Sequence, residues 1–141
     1  MSDRLYPAPH EKAAQDDVLV RVLAAVIREA DRYLICLRPM HKRHGGCWEF
    51  PGGKLEPEET LLEAARRELK EELGVEVLSA GEPVFRRQDP GSPFLIEFVE
   101  VQISGVPRAL EHDEIRWLNA RELRSLNLAP SDQAFSLSLV L

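Results

Sequence analysis

Three glutamates in the middle of the chain are spaced so that they could bind a divalent metal ion. Glu68, Glu71 and Glu72 stand in a stretch that reads as a helix. At about 100° per residue they fall within roughly 100° of arc. Like charges three and four residues apart on a helix repel each other, so these carboxylates need compensation, which Mg²⁺ or Mn²⁺ would supply. The helix alone leaves the alternative open that this is simply a solvated, glutamate-rich face.

The residues around these glutamates form a longer pattern. From Gly53 the sequence runs GKLEPEETLLEAARRELKEELGV. This segment resembles the signature of the Nudix hydrolases, G-x5-E-x7-R-E-U-x-E-E-x-G-U, in which U is a bulky aliphatic residue. All nine defined positions are filled, by Gly53, Glu59, Arg67, Glu68, Leu69, Glu71, Glu72, Gly74 and Val75.

The resemblance implies a metal site and assigns residues to it. Glu71 and Glu72 would be ligands, Glu68 a ligand or the catalytic base, and the carbonyl group of Gly52 would join them. Mg²⁺ is the expected cofactor, with Mn²⁺ as a substitute. The residues expected to take part in catalysis are Arg67, Glu68 and Glu71.

Arg67 also has a structural task on physical grounds. It lies beside the acidic cluster and can pair with a carboxylate such as Glu59. A guanidinium fork that holds a carboxylate would fix the preceding loop against the helix.

The resemblance extends beyond the signature. The passage WEFPGGKLEPEET, which begins five residues before Gly53, resembles the MutT-type branch of the family, whose members hydrolyse nucleoside triphosphates, including oxidised ones. Arg38 matches an arginine that contacts phosphate in that branch. Glu111, six residues before Trp117, matches an accessory metal-binding glutamate. A surface arginine and an ordinary loop glutamate are the alternatives. His112, beside Glu111, reads as an unremarkable histidine.

Two further residues are candidates for contact with a nucleobase. Asp132 stands where the MutT-type pattern can place an asparagine that reads the base edge. An ionised carboxylate only accepts hydrogen bonds, so Asp132 would favour an exocyclic amino group unless it is protonated. Phe85 could stack on a base. A helix cap at Ser131 or Asp132 and a plain core position for Phe85 are the alternatives.

The resemblance thus implies a Mg²⁺-dependent enzyme that cleaves a phosphoanhydride bond in nucleoside triphosphates, giving a nucleoside monophosphate and pyrophosphate. The cations would activate a water molecule, Glu68 would take its proton, and Arg38 would hold a phosphate. One alternative is hydrolysis of ADP-ribose or another nucleoside diphosphate linked to a moiety X. Another is a catalytically inactive Nudix module that binds a nucleotide, although such a module is free to lose the carboxylates that this chain keeps.

The apolar pattern predicts the elements that must position these residues. Residues 18–27 and 33–37 read as two buried strands joined in a hairpin. Residues 60–73 read as a helix with a capping box of Thr60 and Glu63, ended by Gly74. Short helices are predicted after the caps Asn119 and Ser131, and further strands over residues 48–50, 75–86, 94–103 and 115–118. The family resemblance implies an α/β/α sandwich with a mixed β-sheet between helices.

Length and composition bound the remaining possibilities. The 141 residues suit one domain, read as residues 18–141 after a loose leader over residues 1–17. The net charge of −6 argues against a nucleic-acid polymer as the partner and leaves a small nucleotide. Residues 53–75 hold seven glutamates against four bases, so half of that charge lies at the expected metal site.

The sequence also carries information about cellular location. No stretch is apolar over the roughly 18 residues of a membrane span, and no secretory signal is present, so we expect a cytoplasmic enzyme. Cys36 and Cys47 have no metal-ligand or disulfide spacing and are expected to be reduced. The sequence does not indicate an oligomeric state.

Overall fold

Residues 19–141 are described by a computed structural model, and the expected leader over residues 1–17 lies outside them. The strands are β1 (Val20–Val26), β2 (Arg28–Glu29), β3 (Arg32–Leu37), β4 (Trp48–Glu49), β5 (Gly52–Lys54), β6 (Glu76–Gln88), β7 (Phe94–Ser104) and β8 (Glu114–Asn119). The helices are α1 (Leu61–Leu73), α2 (Ala120–Arg124) and α3 (Pro130–Ser138). This is the expected α/β class.

The strands form two sheets. The larger has the order β5-β1-β7-β6 and is mixed, because β1 runs parallel to β7 while the other pairs are antiparallel. In the smaller sheet, β3 pairs antiparallel with β2, β4 and β8. The mixed sheet predicted from the family resemblance is confirmed. The second sheet contains β4, which carries Glu49, and β3, which Arg38 directly follows.

The predicted hairpin between residues 18–27 and 33–37 is confined to the part next to its turn. β1 pairs with β5 and β7. β3 turns back on the two-residue strand β2, and the Leu34 N–H donates to the carbonyl oxygen of Ile27 over 3.0 Å. Seven residues of β1 are matched in parallel by β7, which satisfies the backbone of a strand buried at its carboxyl end. The chain therefore changes sheets at Ile27.

Helices cover both faces of the larger sheet. On one face, α1 packs in a cluster that includes Leu23, Ala25, Leu69, Leu73 and Val99. On the other face, α2 and α3 pack in a cluster that includes Phe50, Phe98, Leu123, Leu128 and Phe135. The Phe98 and Phe135 rings are stacked with centroids 4.6 Å apart. The predicted sandwich is thus built of two separate cores, and the second is aromatic.

The predicted caps of α1 are confirmed. Thr60 Oγ1 accepts a hydrogen bond from the Glu63 N–H over 3.1 Å, and Glu63 Oε1 accepts one from the Thr60 N–H over 2.8 Å. Gly74 ends the helix in the left-handed conformation, with φ of 69°. These local signals fix the length of α1 independently of the sheet beneath it.

We expect Thr60→Ala to lower the free energy of unfolding by about 1 kcal/mol, because the N-terminal N–H groups of α1 lose their side-chain acceptor. Thr60→Ser keeps a hydroxyl at the cap and is the matched control, with an expected change well below that of alanine. Urea denaturation of both variants measures this difference. Equal losses in the two variants would contradict the role of the cap.

The start of the last helix differs from expectation. Asn119 caps α2 as predicted, through its side chain and the Glu122 N–H. Ser131, however, lies inside α3, which begins after Ala129 with Pro130 in its first turn. Proline suits that position because it needs no N–H partner. The Ser131 hydroxyl instead donates to Oδ1 of the buried Asp89 over 2.9 Å.

Two smaller findings complete the fold. Cys36 and Cys47 are both free, as expected. Within residues 19–141, no helix combines the length and the apolar composition that crossing a bilayer requires.

Candidate active site

Two glutamates of α1 face the turn between β4 and β5. The side chains of Glu68 and Glu72 are 15% and 6% exposed. Glu72 Oε1 accepts a hydrogen bond from the Gly52 N–H over 3.3 Å. Burial raises the pKa of Glu72 to about 10, helped by the adjacent carboxyl of Glu68, with which it shares a hydrogen bond. A buried pair of this kind requires either a shared proton or a cation.

Two glycines make room for these carboxylates. Gly52 has φ of 153°, and a Cβ atom there would lie 1.9 Å from the carbonyl oxygen of Leu23. A Cβ atom at Gly53 would lie 2.6 Å from the carboxyl carbon of Glu68. Gly52 therefore lets β5 approach the backbone of β1, and Gly53 leaves room for the Glu68 carboxyl group.

Arg67 makes the predicted pair with Glu59. Its Nε and Nη2 donate to the two oxygens of that carboxylate over 2.9 and 2.8 Å. Nη2 also donates to the carbonyl oxygen of Lys54, and Nη1 donates to Glu68 Oε1 over 2.6 Å. The hydrogen bonds from Arg67 hold the pKa of Glu59 down at about 2. One guanidinium thus joins the loop before α1 to the acidic face of the helix.

The loop before β8 docks on the C-terminal end of α1. The N–H groups of Arg108 and Leu110 donate to the carbonyl oxygens of Leu73 and Glu72 over 3.0 and 3.1 Å. These bonds satisfy carbonyl groups in the last turn, which have no partner within a helix. The docking brings the next two residues of the loop, Glu111 and His112, beside Glu72.

Glu49, the last residue of β4, connects two other parts of the site. Both of its carboxylate oxygens lie 3.2 Å from Nη1 of Arg38. Its Oε2 lies 3.0 Å from Nε2 of His112. Arg38 is held further by a bond from its Nε to the carbonyl oxygen of Arg43. Glu49 therefore contacts both Arg38, in the loop after β3, and His112, in the loop before β8.

These segments enclose one pocket. Its walls are formed by Arg38, Pro39, Lys42, Glu49, Gly52, Glu68, Glu72, Glu111 and His112. The loop after β3 supplies the bases, while α1 and the loop before β8 supply carboxylates. Such a pocket can accept a ligand that carries several phosphates together with a divalent cation.

Four of the five predicted metal ligands line this pocket, namely Gly52, Glu68, Glu72 and Glu111. Glu71 is exposed to solvent and is not among the lining residues. No three Asp, Glu, His or Cys side chains of residues 19–141 are close enough together to form a metal cluster. One oxygen of Glu68 is bonded to Arg67 and Glu71 is exposed, so the carboxylates of the signature do not all converge on one point.

The chemistry of the donors nevertheless fits a divalent cation. Burial and the neighbouring Glu68 carboxyl keep a proton on Glu72 at neutral pH, and a divalent cation would take the place of that proton. The oxygens of Glu68, Glu111 and the Gly52 backbone are ligands of the type that Mg²⁺ prefers.

The two residues predicted to contact a base lie apart from this pocket. Asp132, on α3, is 8% exposed, and its Oδ2 accepts a hydrogen bond from the Phe50 N–H over 2.9 Å. Burial raises the pKa of Asp132 to about 8, against the lowering effect of that bond. Phe85 is half-buried, with its ring centroid 5.7 Å from that of Phe98 and 5.6 Å from that of Phe135. Both residues thus belong to the aromatic side of the sheet.

Comparison with known proteins agrees with this geometry. A NUDIX domain model matches residues 18–139. The chain belongs to the Nudix family. It is a hydrolase of the MutT type, and the acidic face of α1 is its Nudix signature.

Two curated relatives are similar over most of their length. The CTP pyrophosphohydrolase of Escherichia coli K12 is 36% identical over 117 residues, which cover 81% of this chain and 86% of that protein. The putative 8-oxo-dGTP diphosphatase 2 of Mycobacterium tuberculosis H37Rv is 33% identical over 117 residues, which cover 81% and 83%.

Solved Nudix structures share the fold. The solution structure of the Escherichia coli ORF135 protein superposes with a TM-score of 0.72 at 34% identity, covering 84% of this chain and 86% of that one. The crystal structure of a MutT Nudix hydrolase from Burkholderia pseudomallei superposes with a TM-score of 0.74 at 26% identity, covering 86% and 98%.

The sequence reasoning missed two residues of the Nudix pocket. Glu49 stands in a short apolar strand, and His112 stands in an irregular loop, so neither has a periodic or spacing signal. Lys42, in the loop after β3, also lines the pocket. For His112, the only available signal was its position next to Glu111.

Proposed function

We propose that this Nudix hydrolase cleaves a phosphoanhydride bond of nucleoside triphosphates, including modified ones, and releases a nucleoside monophosphate and pyrophosphate. The observation that carries the proposal is the pocket between Arg38 and Lys42 on one side and Glu68, Glu72 and Glu111 on the other. The names of the two curated relatives, a CTP pyrophosphohydrolase and an 8-oxo-dGTP diphosphatase, support this class of substrate.

The acidic side of the pocket would hold Mg²⁺, or Mn²⁺ in its place. Its ligands would come from Glu72, Glu68, Glu111 and the Gly52 carbonyl, with Glu71 joining by a change of side-chain rotamer. When bound, the cation supplies charge neutralisation at the phosphate oxygens and a more acidic water molecule. Glu68, which lines the pocket at the edge of the buried pair, is the general base in this proposal.

The basic side of the pocket would hold the phosphates. Arg38 is 29% exposed at its side chain and presents its guanidinium beside Lys42. Its hydrogen bonds to Glu49 and to the Arg43 carbonyl group fix the guanidinium plane before a ligand arrives. A planar fork held in this way suits a phosphate better than a mobile side chain does.

The base would lie toward the aromatic side of the sheet, with Asp132 reading its edge. One Asp132 oxygen is already used by the Phe50 N–H, so the carboxyl group is fixed in orientation. With a pKa raised to about 8, the group carries a proton at neutral pH and both donates and accepts. Phe85 would complete the wall of the base site through its packing on Phe135.

Arg67 would act by positioning Glu68. We expect Arg67→Lys to lower kcat about 10- to 100-fold, because lysine keeps the charge but cannot bond Glu59 and Glu68 with one planar group. The neighbouring Arg66, whose Nε donates to the Val77 carbonyl oxygen over 3.4 Å, gives the matched control Arg66→Lys. Steady-state kinetics gives kcat for both variants, and circular dichroism checks that they are folded. An equal loss of kcat in the two variants would contradict this role.

The proposed activity is tested with a panel of substrates in the presence of Mg²⁺. The panel contains the normal ribo- and deoxynucleoside triphosphates, 8-oxo-dGTP and ADP-ribose, and the products are separated by ion-exchange chromatography. We expect nucleoside monophosphate and pyrophosphate from at least one triphosphate. A clear preference for ADP-ribose would replace the proposal with the alternative of a nucleoside-diphosphate-X hydrolase, and no turnover of any compound would favour a binding module.

A further inference from the structure

His112 is buried at the wall of the acidic pocket with one ring nitrogen unused. Its side chain is 6% exposed. Nδ1 is inaccessible to solvent and has no hydrogen-bond partner among residues 19–141. The same Nδ1 lies 4.0 Å from Oε1 of Glu72. A buried polar atom without a partner is costly, so this nitrogen needs a ligand that the protein itself does not provide.

The contact of the other ring nitrogen indicates the tautomer of the imidazole. Nε2 lies 3.0 Å from Oε2 of Glu49, and a carboxylate only accepts hydrogen bonds. Nε2 therefore carries the proton of the neutral ring, and Nδ1 carries the lone pair. This lone pair lies 4.0 Å from Oε1 of Glu72 and can be satisfied by a cation that binds to both atoms.

A histidine that binds a metal ion through one ring nitrogen usually contacts a carboxylate through the other. In such sites the second ring nitrogen donates to a carboxylate, which fixes the orientation of the ring and raises the basicity of the ligand nitrogen. Here Glu49 takes the place of that carboxylate, and Glu49 is itself held by the two bonds to Arg38. The ring of His112 is thus oriented before a cation binds.

We propose that His112 Nδ1 is a ligand of the cation bound by Glu72, so that this Nudix site is a mixed nitrogen and oxygen site. The inference rests on the proposed metal-dependent function and adds a ligand that the signature does not contain. Its chemical consequence concerns the choice of metal. Mg²⁺ is bound almost entirely by oxygen, whereas transition metals accept imidazole readily. His112 therefore biases the site toward Mn²⁺ relative to Mg²⁺.

The test uses the Mn²⁺ complex of the full chain without a nucleotide. Pulsed electron paramagnetic resonance detects a ¹⁴N nucleus bonded to Mn²⁺, and we expect such a coupling in the natural protein. We expect His112→Gln to remove the coupling, because the glutamine amide can still donate to Glu49 but places no ring nitrogen beside Glu72. His41→Gln, which changes an exposed histidine, is the matched control and should leave the coupling intact.

Affinities give the second readout. We expect His112→Gln to raise the Kd for Mn²⁺ about 10-fold and the Kd for Mg²⁺ by less than about threefold, measured by titration of the free Mn²⁺ signal and by competition. Glu49→Gln keeps a carbonyl acceptor for Nε2 and should retain the ¹⁴N coupling with a weaker Mn²⁺ affinity. Thermal unfolding of each variant shows whether it is folded.

The outcomes separate this inference from the proposed function. Absence of a ¹⁴N coupling in the natural protein overturns the ligand assignment without any variant, and so does a coupling that His112→Gln leaves unchanged. Neither result bears on whether the enzyme hydrolyses nucleotides. Conversely, a ¹⁴N coupling lost in His112→Gln supports the assignment even if no nucleotide of the substrate panel is hydrolysed.

Discussion

Glu72→Gln is expected to lower kcat about 10³-fold while making the metal-free protein more stable. The amide keeps an acceptor for the Gly52 N–H but loses the charge that a cation needs. In the absence of metal, the natural protein must keep a proton on Glu72 that the unfolded chain releases at neutral pH. Removing this requirement is expected to stabilise the metal-free variant by at least about 1 kcal/mol, or roughly 4 °C in Tm.

The two effects are measured separately. Steady-state hydrolysis with saturating Mg²⁺ gives kcat, and thermal unfolding in a chelator gives the stability of the metal-free form. Glu76→Gln is the matched control, because Glu76 is exposed and pairs with the exposed Lys70 at 3.6 Å. A Glu72→Gln enzyme that retains a tenth of its activity, or that melts below the natural protein in chelator, would contradict the assignment.

Asp132→Asn is expected to change the choice of base and its dependence on pH. Below about pH 8 the Asp132 carboxyl is protonated and can face either an amino or a keto group. Above that pH it is ionised, and in the proposed base site it would accept from the amino group of cytosine and repel the keto oxygen of uracil. We expect the kcat/KM ratio of CTP to UTP to rise at least about 10-fold between pH 6 and pH 9 in the natural enzyme, and to stay flat in the variant.

Stability gives an independent measure of the same carboxyl. The folded protein holds a proton on Asp132 up to about pH 8, whereas an unfolded chain releases it near pH 4. This group therefore favours the folded state at low pH, and its contribution is lost as the pH rises from about 4 to 8. Asp132→Asn should exceed the natural protein in stability by more at pH 8 than at pH 5. Denaturation curves that shift equally at both pH values would show that the Asp132 carboxyl is not protonated in the folded state.

The parts of this enzyme that sequence could predict are those set by local chemistry. The capping box of Thr60 and the left-handed Gly74 both act within a few residues, and both are present. The pairing of Arg67 with Glu59 spans eight residues and is also present, because a helix and its leading loop have little freedom to arrange otherwise.

The parts that sequence could not predict depend on contacts between distant segments. The β1–β3 hairpin is confined to the part next to its turn because β1 is completed by β7, more than seventy residues later. Glu49 and His112 meet only because β4 and β8 both pair with β3. Neither residue is marked by its own surroundings in the chain, so only the folded sheet identifies them as part of the pocket.

The parallel pairing of β1 with β7 also has a consequence for the order in which the protein folds during synthesis. α1 leaves the ribosome before Phe94–Ser104, the strand that completes the sheet beneath it. Until then the helix has its caps and its glutamates but only part of the surface on which its apolar stripe packs. The bond from Phe50 to Asp132 joins residues 82 positions apart and closes later still. Because contacts so distant in sequence form slowly, we infer that a nascent chain carries the complete Nudix signature well before it can bind or hydrolyse anything.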